Sequence, residues 1–63
     1  MSIYFFTIYL RFNDSKRKMA LHHTEIAYTK GKAQMCTQLY AQQLEHEFNA
    51  TIINIRYDGM ETN

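Results

Sequence analysis

The chain has no proline and one cysteine, Cys36. A lone cysteine excludes an intrachain disulfide, so the bridge framework that stabilises many small secreted domains is ruled out. The only two glycines, Gly31 and Gly59, stand apart. That excludes the glycine-rich loops that cradle phosphates and dinucleotides. No stretch has linker composition, and none repeats. One compact domain spanning 1–63 is therefore expected, with an ordered core at about 2–58 and a frayed tail at 59–63. Long hydrophobic runs are scarce too. Residues 2–10 form an apolar run, but it is too short to cross about 30 Å of hydrocarbon as a helix. It also lacks the basic flank and the cleavage site of a secretory signal. The expectation is a cytoplasmic chain with no membrane contact.

What is present is an apolar segment of unusual symmetry. Read as a strand, "SIYFFTIYLRF" (residues 2–12) puts Tyr4, Phe6, Ile8, Leu10 and Phe12 on one face. Ile3, Phe5, Thr7, Tyr9 and Arg11 fall on the other. A half-buried strand alternates apolar and polar residues, whereas this one is apolar on both sides. A turn is predicted at residues 12–18, where Asn13, Asp14 and Ser15 supply turn-closing side chains. A second strand follows, roughly Met19 to Tyr28. Thr29 is a candidate N-cap for a helix from about Lys30 to Phe48, with Asn49 as its C-terminal stop. Spaced at 100° per residue, Ala33, Cys36, Thr37, Tyr40, Ala41, Leu44 and Phe48 form the expected core arc. "TIINIRY" (residues 51–57) reads as the third strand.

The order β-β-α-β predicts an α+β domain. Its three-stranded antiparallel sheet has the order 2-1-3, and one helix packs on one face. The most apolar strand then occupies the centre. The helix should meet Phe6, Ile8 and Leu10 of the first strand and Ile53, Ile55 and Tyr57 of the third. The opposite face should carry Phe5, Tyr9 and Arg11 beside Ile52, Asn54 and Arg56, with nothing in the chain left to cover it. Met35 and Leu39 lie off the core arc and make a second exposed apolar stripe. A chain of 63 residues buries only about 60% of its unfolded surface, so association is the expected reinforcement. These two uncovered surfaces predict partner contacts, including a homodimer.

Sites for chemistry are hard to find. His22 and His23 are adjacent on a strand, so their side chains point to opposite faces. No Cys or His pair has zinc-ligand spacing. A pairing of His22 with Glu25, or of Cys36 with a histidine, lies outside any recognised catalytic motif. No metal, cofactor or catalytic residue is expected. The net charge is +1, but it is unevenly spread. Residues 11–32 hold Arg11, Lys16, Arg17, Lys18, Lys30 and Lys32 against Asp14 and Glu25; residues 33–63 hold Arg56 against Glu45, Glu47, Asp58 and Glu61. Arg11 and Arg56 beside Phe5 and Tyr9, with Lys16, Arg17 and Lys18 as possible phosphate contacts, allow a nucleic-acid reading of the open face. The same lysines also read as an ordinary solvated turn.

The layout resembles that of small phage-encoded inhibitors of host machinery, among them anti-CRISPR proteins and phage proteins that bind host RNA polymerase. The segment "TEIAYTKGKAQ" (residues 24–34) is similar to the strand end, hydroxyl cap and alanine-led helix of such chains, and the likeness of layout spans about residues 3–57. It assigns no residue by position. The resemblance implies a function by blockade: a surface of a host protein or ribonucleoprotein complex is covered, with no chemistry by the inhibitor. Two readings stand at the level of sequence. One is a non-enzymatic inhibitor of this kind, and the other is a small nucleic-acid-binding regulator using the open sheet face.

Overall fold

A computed structural model describes residues 1–62. Strand β1 (Ser2–Phe12) and strand β2 (Lys18–Ala27) are joined by a turn; helix α1 (Lys30–Phe48) and strand β3 (Ala50–Thr62) follow. The sheet has the order β2-β1-β3, and both neighbours run antiparallel to β1. This is the α+β layout expected from the sequence. Among the described residues, no helix is long and apolar enough to cross a membrane.

The helix begins and ends where its caps dictate. Thr29 is extended, and its side chain accepts the Lys32 N–H at 3.1 Å, satisfying one of the first-turn donors. Asn49 takes a left-handed conformation with φ 49°, and its own N–H donates to the Glu45 carbonyl. Asn tolerates this region better than most residues. The buried stripe Ala33, Thr37, Ala41 and Leu44 faces the sheet. Three of these are small, so the helix backbone can lie close to Phe6, Ile8 and Leu10, all nearly inaccessible. The Thr37 hydroxyl is satisfied within the helix by donating to the Ala33 carbonyl at 2.8 Å. Phe48, expected in the core arc, is instead 55% exposed, and Tyr40 lies at the edge of the layer. Cys36 is only partly buried. The wide arc is narrowed because a three-stranded sheet offers a narrow floor.

Strand β3 departs from simple alternation. A single residue, Asn49, links α1 to β3, which forces Ala50 into the core and turns Ile52 toward the helix. The Ile52 N–H donates to the Glu45 carboxylate at 2.8 Å. The register with β1 then shifts between Tyr9↔Asn54 and Leu10↔Ile52, so Ile53 is an extra residue in a bulge and is 51% exposed. The expected places of Ile52 and Ile53 are therefore exchanged. Ile52 belongs to the helix side, and Ile53 does not. A bulge changes the parity of a strand, and beyond it Ile55 and Tyr57 face the helix as expected.

A second shift separates Phe6↔Tyr57 from Phe5↔Gly59, leaving Asp58 as the extra residue. Gly59 follows with φ 122°, a conformation open to glycine and strained for other residues. The strand continues to Thr62, which pairs with Ser2. Residues 59–62 are thus ladder-bonded rather than frayed, because the apolar start of β1 offers them a partner; Asn63 of the expected tail lies outside the described residues. At the other end of the sheet a polar clasp joins the hairpin turn to the helix end. Asn13 Nδ2 donates to Asn49 Oδ1 at 3.2 Å, Asn49 Nδ2 to Asp14 Oδ1 at 3.1 Å, and Thr51 Oγ1 to Asn13 Oδ1 at 2.8 Å.

Candidate functional site: the open sheet face

The face away from the helix is built by every second residue of β1. Ile3, Phe5, Tyr9 and Arg11 are all partly exposed on it. Their cross-strand neighbours on β2 are Ile26, Thr24, Ala20 and Lys18. On β3 they are Glu61, Gly59, Asn54 and Thr51.

At the centre of this face Thr7 is only 1% exposed, although no second layer covers it. Three polar side chains close over it. The Thr7 hydroxyl donates to Asp58 Oδ2 and accepts from Arg56 Nη2 at 3.4 Å. His22 Nδ1 is 3.3 Å from the same oxygen. The hydroxyl has one proton, and an ionised carboxylate can only accept, so that proton is committed to Asp58. The His22 contact then requires the imidazole to donate from Nδ1. Arg56 Nε also donates to Asp58 Oδ1 at 2.6 Å. The Thr7 hydroxyl bond, the Arg56 bond and the nearby positive charge hold the Asp58 carboxyl below the usual carboxylate range. The bond to Asp58 and the charge beside it push Arg56 up. The Asp58 bulge puts the carboxylate in reach: the extra residue brings its side chain over Thr7.

Beside this hub an open groove of about 540 Å³ runs toward the hairpin turn. Tyr9, Lys18, Ala20, Ile53, Asn54 and Arg56 are among its lining residues. The Arg56 guanidinium lies over the Tyr9 ring, 5.6 Å from its centroid, within range of a cation–π contact. Arg11 stands between Lys18 and Thr51 in the ladder, and its Nε is buried without a hydrogen-bond partner.

Of the residues singled out in the sequence, Phe5, Tyr9, Arg11, Asn54 and Arg56 share this face. Ile52 does not, for the reason given above, and Ile53 takes its place. Met35 and Leu39 are more than half exposed on the helix, a separate surface. Lys16 and Arg17 are exposed in the turn, where Lys16 has φ 62°, and only Lys18 reaches the groove. His22 and His23 point to opposite faces. His23 lies on the helix side, stacked on Tyr40 at 4.3 Å between centroids. Its Nε2 is 2.6 Å from Glu25, so the histidine paired with Glu25 is His23 rather than His22. Two residues apart on a strand, they share a face. Among the described residues, no cluster of three or more histidine, cysteine or acidic side chains has the spacing of a metal site.

The hub of Thr7, His22 and Asp58 was not anticipated. Its one sequence signal is Thr7 itself, the short polar residue between Phe5 and Tyr9. No family model, curated protein or solved structure matches this chain.

Proposed function

We propose that this protein is a non-enzymatic interaction domain that acts by blockade, covering a surface of a larger complex with its open sheet face. The observation that carries this reading is the groove beside Tyr9. It places an aromatic ring, an exposed Ile53 and the cations Lys18 and Arg56 around one concave surface on a rigid sheet. Interfaces favour this mixture of aromatic and arginine anchors with a polar surround. The hub supports the same view. The Thr7 hydroxyl is only 1% exposed, and it is enclosed by Asp58, Arg56 and His22, which leave a substrate no approach. It serves to lock three strands together, not to attack a substrate. In this reading the chain works as the small phage-encoded inhibitors it resembles do, by occupying a host protein or ribonucleoprotein.

A second reading is favoured by one feature of the same groove: Lys18 and Arg56 border the partly exposed Tyr9 ring, as in surfaces that stack single-stranded bases. One experiment separates the two. The parent and the Phe5→Ser/Tyr9→Ser variant are immobilised, host lysate is passed over both, and captured proteins are identified by mass spectrometry. A protein retained by the parent, released by the folded variant and insensitive to moderate salt supports blockade of a protein surface. Labelled single-stranded oligonucleotides are passed over the same two surfaces, and retention by the parent that falls steeply with salt supports the second reading. Identical recovery by parent and variant, with unchanged circular dichroism, removes the open face from both.

A further inference from the structure

The two edges of the sheet differ. The β3 edge is interrupted twice, at Ile53 and at Asp58. Bulges of this kind are among the devices that keep an edge from pairing with another chain. The β2 edge has no interruption. Its ten residues pair with β1 in unbroken register from Ser2↔Ala27 to Arg11↔Lys18, so its outer backbone groups form a regular, unpaired row. Among the described residues there is no proline, and Lys18 is the one lysine in β2.

The helix repeats the asymmetry. Above β3 it presents Gln34, Gln38 and Glu45, beside Tyr57, Ile55 and Ile52. Above β2 it presents Tyr40, stacked on His23, and Phe48, which shares an apolar cleft with Met19 and Leu21. Met19, Tyr40 and Phe48 are between 37% and 55% exposed. One flank of the domain is bulged and overhung by polar helix side chains. The other joins a clean strand edge to exposed apolar side chains.

We infer that the β2 flank is a homodimer interface, in which β2 pairs antiparallel with β2 of a second copy about a two-fold axis near His22 and His23. This is distinct from the open-face reading and does not depend on it. A second copy is the occupant that the edge itself specifies. An antiparallel pair about a two-fold axis satisfies both edges with one pattern, and the same patch is used twice. It also keeps Lys18 of one strand at the far end from Lys18 of the other, whereas a parallel pair in register would set the two side by side. Ten strand residues extend about 33 Å, and a strand with its helix layer is roughly 20 Å deep, a face of about 660 Å² that falls in the lower part of the roughly 600–1,000 Å² per partner of a standard interface. In the dimer the sheet has six strands, both helices lie on one side, and the two Tyr40 edges approach each other over the new strand pair. The two open faces join on the other side, doubling the groove.

The test is sedimentation of the full chain across a wide concentration range, with amide exchange read by mass spectrometry. The expected result is a species of twice the 7.5 kDa chain mass at high concentration. Amides of β2 are expected to exchange at least about tenfold more slowly there than in dilute samples, while the outer amides of β3 do not change. Ala20→Lys/Thr24→Lys places repelling charges on exposed β2 positions and is expected to give a folded monomer. A parent that stays monomeric throughout overturns the proposal. So does a double-lysine variant that still dimerises, or concentration-dependent protection confined to β3 or α1. If the variant fails to fold, the exchange pattern of the parent decides alone.

Discussion

Leu44→Ala tests whether the narrow core stripe of the helix carries the stability of the domain. Leu44 is 5% exposed and packs in a cluster with Ile8, Leu10, Ala41 and Ala50. Truncation removes three carbons, which at about 0.8 kcal/mol each gives roughly 2.4 kcal/mol of lost transfer energy. The cavity adds to this. Ile8 and Leu10 are on the central strand, hydrogen-bonded on both sides, so they cannot move in to fill it. The loss is expected in the upper part of the usual range of about 2–5 kcal/mol. A 63-residue domain has a total stability of only about 3–9 kcal/mol. The variant should therefore be largely unfolded at physiological temperature. Its melting midpoint should fall by more than about 10 °C, measured by circular dichroism in dilute samples. Leu39→Ala is the control: Leu39 is 57% exposed and its truncation should cost no more than about 0.5 kcal/mol. Equal losses for the two leucines, or a Leu44 variant within about 1 kcal/mol of the parent, would refute the assigned helix facing.

Two further predictions concern β3. The Asp58 carboxyl is held below its ordinary value of 3.8 in the fold. Its ionised form therefore adds stability above that value, and this is lost as pH falls from 3.8 toward the lower folded value. The gap in denaturation midpoint between the parent and Asp58→Asn should be constant above about pH 5 and shrink below it; a gap that does not vary with pH would mean that Asp58 makes no ionised contact with Thr7 and Arg56. Gly59 and Gly31 form a matched pair, since a Cβ at either position meets nothing within 4 Å. Gly31→Ala, inside the helix, should stabilise by about 0.5–1 kcal/mol. Gly59→Ala, at φ 122°, should destabilise by about 1–3 kcal/mol. Urea midpoints moving in the same direction for both would refute the strained conformation.

The helix was legible to the residue because its signals are local: a hydroxyl cap at Thr29, an Asn stop at Asn49 and a 3.6-residue repeat between them. The strand order followed from chain direction and from the apolar density of β1. The facing of β3 was read correctly from Asn54 to Tyr57 but not at Ile52 and Ile53, because alternation assumes an unbroken ladder. Ile52 and Ile53 are equivalent by composition, and only the one-residue link after Phe48 decides which turns inward. The tail "DGMET" has weak strand propensity, and its pairing is imposed by β1. For the site, Phe5, Tyr9 and Arg56 were visible as an uncovered face. The burial of Thr7 was not, since it depends on the Asp58 bulge and on His22 arriving from another strand.

The clasp of Asn13, Asp14, Asn49 and Thr51 has a consequence for how the sheet opens. It ties β1 to β3 at the end where Phe12 meets Ala50, while at the far end Ser2 and Thr62 are held by the ladder alone. Local opening costs least where fewest contacts must break together. The β1–β3 seam therefore behaves as a zipper with a fixed slider stop at the turn. It peels from Thr62 toward Asp58 and re-closes in the opposite direction, so exchange should be faster beyond Asp58 than between Ala50 and Tyr57. The hub of Thr7 and Asp58 stands at the end of that path, a polar catch that a peeling strand must undo before the core beneath Phe6 is reached.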